Sequence, residues 1–259
     1  MGYVKAKKYL GQHFLKDKNI AKKIVESLLN NDVDRVLEIG PGMGVLTQFL
    51  LKNDNYETYV VEIDIESVEY LKKEFPELKD RIISEDFLKF NFKEFSTAKF
   101  SIIGNFPYNI SSQIFFRVIE NKDSVVEVVG MLQKEVAQRL AAKPGSKTYG
   151  ILSVLLQAYY NIEYLFTVNA EVFSPPPKVK SAVIRLTRNT VKKIDCNEDL
   201  FFRVIKTSFN QRRKTLNNSL KPILLNIKIK DEIMLKRPEQ LSVDNFIKLT
   251  NLVENCMKS

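Results

Sequence analysis

The feature that most constrains this chain is an alternation of two periodicities. The apolar runs VDRVLEIG (33–40), ETYVVEID (57–64), RIISED (81–86), AKFSIIGN (98–105) and SVVEVVGMLQ (124–133) read as buried strands. Between them GVLTQFLLK (44–52), IESVEYLKKEF (65–75) and SSQIFFRVIE (111–120) read as helices, the last with Ser111 as its N-cap. Strand and helix in turn predict a parallel sheet covered by helices on both faces. Ligands of such sheets bind outside the carboxyl ends of the strands, so the loops after residues 39, 62, 85 and 104 share one rim. FSPPPKVKSAVIRL (173–186) adds a rigid proline turn and a late strand. Past TRNTVKKIDCNED the pattern turns helical and polar, which sets an expected boundary at 188: an α/β domain over 1–188 and a small helical domain over 189–259.

The rim loops differ in what they can hold. EIGPGMGVLT carries Gly40, Gly42 and Gly44, which let the backbone turn tightly against a ligand, but Val45 stands where GxGxxG needs its third glycine. Glu62 ends the second strand, where an acid accepts hydrogen bonds from both ribose hydroxyls; a solvated strand end is the alternative. Asp64 suits a cap of the next helix. In SEDFL, Asp86 can accept from an adenine amino group with Phe87 beside the ring, or serve as an ordinary loop carboxylate. Together these loops suggest an adenosine moiety without a Walker lysine, hence S-adenosylmethionine rather than a nucleotide phosphate.

The fourth loop, GNFPYNISS, supplies a chemistry. Pro107 stiffens it and removes a donor. The Asn105 side-chain oxygen and the Phe106 carbonyl can accept both hydrogens of one planar NH₂ group, and Tyr108 offers a face on which a base can stack. Two acceptors aimed at an exocyclic amine stabilise the positive charge that develops as it is methylated. No strong base is required, since the nitrogen becomes acidic as the methyl arrives, and with His13 the single histidine no histidine relay is possible without it.

Net charge is +9 and the pI about 9.3, a balance that favours a polyanionic partner. Cys196 and Cys256 have no CxxC or disulfide pattern, which fits a reducing cytoplasm and gives no metal site. The start of the chain has no apolar h-region, and no apolar run approaches the length of a membrane span.

At these residues the chain resembles the ribosomal RNA adenine N6,N6-dimethyltransferase family of the KsgA type. YLGQHFLKDKNIAKKIV, EIGPGMGVLT, VEID, EDFL, GNFPYNISS, VFSPPPKVKSAVIRL and FNQRRKTLNNSL match its motifs in order, over nearly the whole length. The resemblance implies a Rossmann-like class I methyltransferase domain, a helical C-terminal domain, and S-adenosylmethionine as methyl donor without a metal. It implies as substrate two adjacent adenines in the 3′-terminal hairpin of 16S rRNA in the 30S subunit, each dimethylated at N6, with a role in subunit biogenesis. By position, His13, Leu15, Gly40, Gly42, Glu62, Asp86, Phe87 and Asn105 would contact the cofactor, with Gln12 supporting the first segment. Asn105, Pro107 and Tyr108 would form the catalytic loop, and Phe106, Tyr108 and Phe173 the target-base pocket. Three positions depart from the common pattern: His13 for Asn, Phe106 for Leu and Asn217 for Arg.

A base inside a duplex is out of reach, so the target must be looped or extruded. Lys143 and Lys147 in AAKPGSKTYG, with Arg203, Lys206, Arg212, Arg213 and Lys214 in the tail, are the expected grip on the RNA backbone. A monomer is expected, because no extra apolar stripe stands out. Three other readings stay open at this level: a resistance-type methyltransferase of large-subunit rRNA, a DNA adenine methyltransferase (whose loop begins with Asp where Asn105 stands), and a non-catalytic assembly factor.

Overall fold

A computed structural model describes residues 4–29, 33–96, 98–225 and 227–258. Seven strands form the central sheet: β1 Arg35–Ile39, β2 Glu57–Glu62, β3 Ile82–Ser84, β4 Phe100–Asn105, β5 Val125–Gln133, β6 Tyr160–Val168 and β7 Ser181–Arg188. Their order is β3-β2-β1-β4-β5-β7-β6. β1 to β5 pair in parallel, and β7 runs antiparallel to β5. The parallel strands are apolar runs because both faces are covered: Val36, Leu37, Val60, Ile102, Ile103, Val128 and Val129 are all buried. Register levels the working end. Ile39 lies opposite Val61, Glu62 opposite Ser84 and Asn105 opposite Met131, so the loops after β1 to β4 open on one rim.

The expected helices at 65–75 and 111–120 form as Ile65–Glu74 and Ser111–Glu120, while GVLTQFLLK yields only Thr47–Leu50. Ser111 is not the N-cap. Ile110 occupies that position, and the Ser111 hydroxyl donates to the Tyr108 carbonyl at 3.2 Å, tying the helix to the loop before it. The helix Lys18–Val25 is capped by Asp17, whose carboxylate accepts from the backbone of Asn19 and Ile20. A two-residue antiparallel ladder joins Phe14–Leu15 to Phe173–Ser174.

The chain divides into two compact units: Met1–Ala137 with Asn161–Arg188, and Gln138–Tyr160 with Asn189–Ser259. The second unit combines residues from Asn189 onwards with Gln138–Tyr160, a segment that lies within the 1–188 span of the sequence expectation. Its two longest helices, Glu198–Asn210 and Val243–Lys258, bury matching stripes: Phe201, Val204, Ile205 and Ser208 on one, Phe246, Leu249, Thr250 and Val253 on the other. The i, i+3, i+4, i+7 spacing puts each set on one face, and Phe209 stacks on Phe246 with ring centroids 6.0 Å apart.

Candidate active site

Two adjoining hollows, of about 460 and 580 Å³, lie on the rim of the first unit and share Leu10, Gly40, Glu62, Ile63 and Pro107 as walls. The first is completed by residues 11–14, Gly42, Asn105, Phe106 and Tyr108; the second by Glu85, Asp86, Phe87, Leu88, Asn109 and Ile110 among others. All four loops named from the sequence therefore meet in one cleft. Gly42 shows why the first loop needs glycine: its φ is +55°, and a Cβ there would stand 2.7 Å from the Phe14 ring.

Glu62 lies at the junction of the two hollows. One carboxylate oxygen accepts from the Gly42 N–H at 3.0 Å and the other from the Asp64 N–H at 2.9 Å, which fixes the group and leaves lone pairs for a ligand. Burial pushes its pKa up, and those two backbone N–H groups oppose the rise. Glu62, Glu85 and Asp86 line the cleft, whereas no Lys or Arg appears among the described lining residues. That donor set is wrong for a phosphate. It suits an adenosine attached to a cationic group, so the residues present fit the ligand expected from the sequence.

The catalytic loop is held from both sides. The Asn105 amide nitrogen donates to the His13 carbonyl at 2.8 Å, which leaves its amide oxygen as the acceptor. The Tyr108 hydroxyl shares a 2.5 Å hydrogen bond with the Ser181 hydroxyl, and the His13 ring stacks on the Tyr108 ring at 5.3 Å and 30°. His13 is anchored in turn through Nδ1 to the Pro175 carbonyl at 2.7 Å. His13 thus gives the tyrosine an aromatic partner.

Several residues stand elsewhere than expected. Phe173 is 1 % exposed, packed in the core beside Leu15, and lines neither hollow. Its ring presents no open face to either hollow in this structure. Leu15 is likewise a core side chain outside both hollows. Phe106 lines the cleft, yet its ring is fully buried. Gly104 and Gly130 pair across β4 and β5, and a Cβ on Gly130 would collide with that ring. The glycine pair makes room for the Phe106 ring, which fills core space behind the cleft wall. Gln12 does not face the ligand with its amide: it accepts from the Lys7 N–H at 2.8 Å and donates to Asp64 at 3.0 Å, a supporting role.

Sequence reading missed the apolar walls Leu10, Ile63, Leu88 and Ile110, and the clamp on Asp64. Burial pushes the Asp64 carboxyl up, but the bonds from Gln12 and the Lys7 ammonium outweigh it and hold its pKa below the usual carboxylate range. Asp64 also caps the helix Ile65–Glu74, accepting from the Glu66 N–H. One carboxylate therefore ties the N-terminal segment to the rim; only its pairing with a lysine and a glutamine some 50 residues away conceals this from the sequence.

Glu38, on β1, is 1 % exposed. It accepts from the Thr47 hydroxyl at 2.6 Å, and its other oxygen has no protein partner. Burial raises its pKa from 4.5 to about 8, with the Glu62 charge adding to the rise. The folded state thus keeps a proton that the unfolded chain releases near its ordinary carboxyl pKa. Stability from this group is full below that value and falls as pH climbs towards about 8. Glu38→Gln, which cannot titrate, is expected to flatten this slope. Denaturant midpoints of both proteins at about pH 5 and about pH 8 check it: parallel curves would contradict the assignment.

The basic residues expected to hold RNA all fall in the second unit: Lys143 and Lys147 on the loop before the helix Ile151–Gln157, Arg203 and Lys206 on one exposed face of Glu198–Asn210, and Arg212, Arg213 and Lys214 in the turn after it. Arg212 is partly committed inside the unit, donating to the Ser146 carbonyl at 3.2 Å and facing Glu239 at 3.9 Å. Arg213, Lys214, Lys143 and Lys147 are exposed.

The strand order, the reversed β7 and an acidic cleft at the strand ends define a Rossmann-like methyltransferase fold. A dimethyladenosine transferase from Plasmodium falciparum superposes with a TM-score of 0.79 at 26% identity, over 95% of this chain and 98% of that one. The 23S rRNA methyltransferase ErmE shares the fold at a TM-score of 0.67 and 22% identity, over 93% of this chain and 99% of that one. The family model for ribosomal RNA adenine dimethylase matches residues 3–254. Proteins named ribosomal RNA small subunit methyltransferase A are 59% identical in Bacteroides thetaiotaomicron, over 100% of this chain and 98% of that protein, and 61% identical in Parabacteroides distasonis, over 96% and 94%. This chain belongs to the ribosomal RNA adenine dimethylase family.

Proposed function

We propose that the protein uses S-adenosylmethionine to dimethylate N6 of two adjacent adenines in the 3′-terminal hairpin of 16S rRNA, acting as a cytoplasmic monomer during assembly of the 30S subunit. The observation that carries the cofactor is the cleft itself, with three carboxylates and no cationic side chain among its described walls. Bound there, S-adenosylmethionine would supply the methyl group as an electrophilic sulfonium. Glu62 would accept from the ribose hydroxyls and Asp86 from the adenine amine, with the apolar walls Ile63 and Leu88 flanking the adenosine. The glycine loop, Gly40 to Gly42, admits the ligand close to the backbone. Asn105, through its free amide oxygen, and the Phe106 carbonyl receive the target amine. They favour the geometry in which its lone pair is available, and Pro107 keeps the loop rigid. Tyr108 stacks on the target base with the face that His13 leaves open. Titration calorimetry with S-adenosylmethionine tests the reading at its base: one site per chain is expected, and an assembly factor that merely keeps the fold would give no heat.

On the RNA side, the exposed cations of the second unit position the phosphate backbone. Arg213→Ala with Lys214→Ala is the clean test, since Arg212 also tethers the loop at Ser146. RNA affinity is expected to fall, and the slope of log K against log salt to become shallower by about one to two units. An unchanged slope would take these two residues out of the interface.

A further inference from the structure

We propose that Tyr9, with Lys5 and Lys8, forms a second nucleotide subsite on the lip of the cleft. It would take the unstacked ribonucleotide next to the target adenine, and this inference rests on the RNA-methylating function proposed above. Only one of two adjacent bases can occupy the catalytic loop at a time, so its neighbour needs a place just outside. Tyr9 is 76% exposed and makes no ring contact with another described residue, whereas most aromatic rings in this chain are packed. Tyr9 lines neither hollow itself, but Leu10 lines both and Gly11 one, so the turn that carries the ring borders the cleft.

The exposed ring is carried on a fixed backbone. Asn109, the residue after Tyr108, donates from its side chain to the Tyr9 carbonyl at 3.3 Å. Gly11 follows in the left-handed region at φ +66°, so close to Asn109 that a Cβ would stand 2.5 Å from its amide oxygen. On the other side Lys7 and Gln12 are clamped to Asp64. The turn that presents Tyr9 is thus fastened both to the catalytic loop and to the cofactor rim. A fixed exposed aromatic loses little freedom when a base stacks on it.

Charge agrees with a polyanion. Lys7 is neutralised by Asp64 and Glu66, but Lys5 and Lys8 are exposed and make no ion pair with any described residue. Two uncompensated lysines on the same short segment as an exposed aromatic ring match a phosphate–base–phosphate step of single-stranded RNA.

The test uses the full-length protein and a hairpin RNA with two adjacent loop adenines, the second replaced by 2-aminopurine. Wild type is expected to quench its fluorescence on binding. Tyr9→Ala should abolish that quenching and weaken RNA binding about tenfold, Tyr9→Phe should retain both, and Lys5→Ala with Lys8→Ala should weaken binding with a shallower salt slope. S-adenosylmethionine affinity should stay within about twofold for all of them. Equal RNA affinity and quenching in wild type and Tyr9→Ala would overturn the subsite, as would a loss of cofactor binding in Tyr9→Ala, which would make the ring a structural clamp. Binding and quenching need no turnover, so a wild type that binds and quenches without methylating would count against the proposed function and not against the subsite.

Discussion

Asn105→Ala is expected to lower kcat for methyl transfer by about 10²–10³-fold with the fold intact. The side chain has two jobs that the structure separates. Its amide nitrogen holds the His13 carbonyl, and its oxygen is left for the target amine. An adenine amine is a poor nucleophile because its lone pair is delocalised into the ring, so the transition state depends on acceptors that stabilise the charge developing on nitrogen. Removing one of two such acceptors forfeits an interaction that is stronger in the transition state than in the ground state, and the loss therefore appears in kcat. The lost tie to His13 is expected to weaken cofactor binding as well, by a smaller factor. Single-turnover rates at saturating RNA and cofactor check the claim. A rate within threefold of wild type would mean that Asn105 is an anchor of the N-terminal segment and nothing more.

Glu62→Gln is expected to weaken S-adenosylmethionine binding roughly 100-fold, the equivalent of one or two charge-assisted hydrogen bonds at about 1.5–3 kcal/mol each. The isosteric change is severe because both carboxylate oxygens already accept backbone N–H groups, from Gly42 and Asp64. An amide must turn its NH₂ towards one of these donors, so either the glycine loop or the start of the helix Ile65–Glu74 is pushed away. Ribose hydroxyls then lose their shared acceptor at the point where the hollows join. Calorimetry on a variant with native circular dichroism reads the effect, and a dissociation constant within fivefold of wild type would place the ribose elsewhere.

The parallel half of the sheet was legible because a strand buried on both faces must be a continuous apolar run, and because glycine, acid or amide ends each run. The four loops followed from that geometry alone. β6 carries a different signal, which a search for apolar runs passes over: Tyr160, Ile162, Tyr164, Phe166 and Val168 alternate with the exposed Asn161, Glu163 and Thr167, the period of two of a half-buried strand. The ladder of Phe14–Leu15 with Phe173–Ser174 joins segments far apart in sequence through two residues each, and no local pattern announces it. The helix Lys18–Val25 did carry a signal, Asp17 as a cap before apolar residues at positions 20, 21, 24 and 25. In the site, residue types pointed to loops that do meet in one cleft, but not to which rings face it. Phe106 and Phe173 read as pocket residues, and both are core, Phe106 because two glycines on neighbouring strands leave a space the size of its ring. Depth of burial depends on the opposite strand, which sequence order does not reveal.

The measurement that bears most directly on the central claim is methyl transfer from labelled S-adenosylmethionine to 30S particles lacking the modification, with the product nucleosides resolved. The account expects N6,N6-dimethyladenosine in small-subunit RNA, absent when Asn105→Ala replaces wild type. Label found only on large-subunit RNA, or none at all while the particles remain bound, would contradict it.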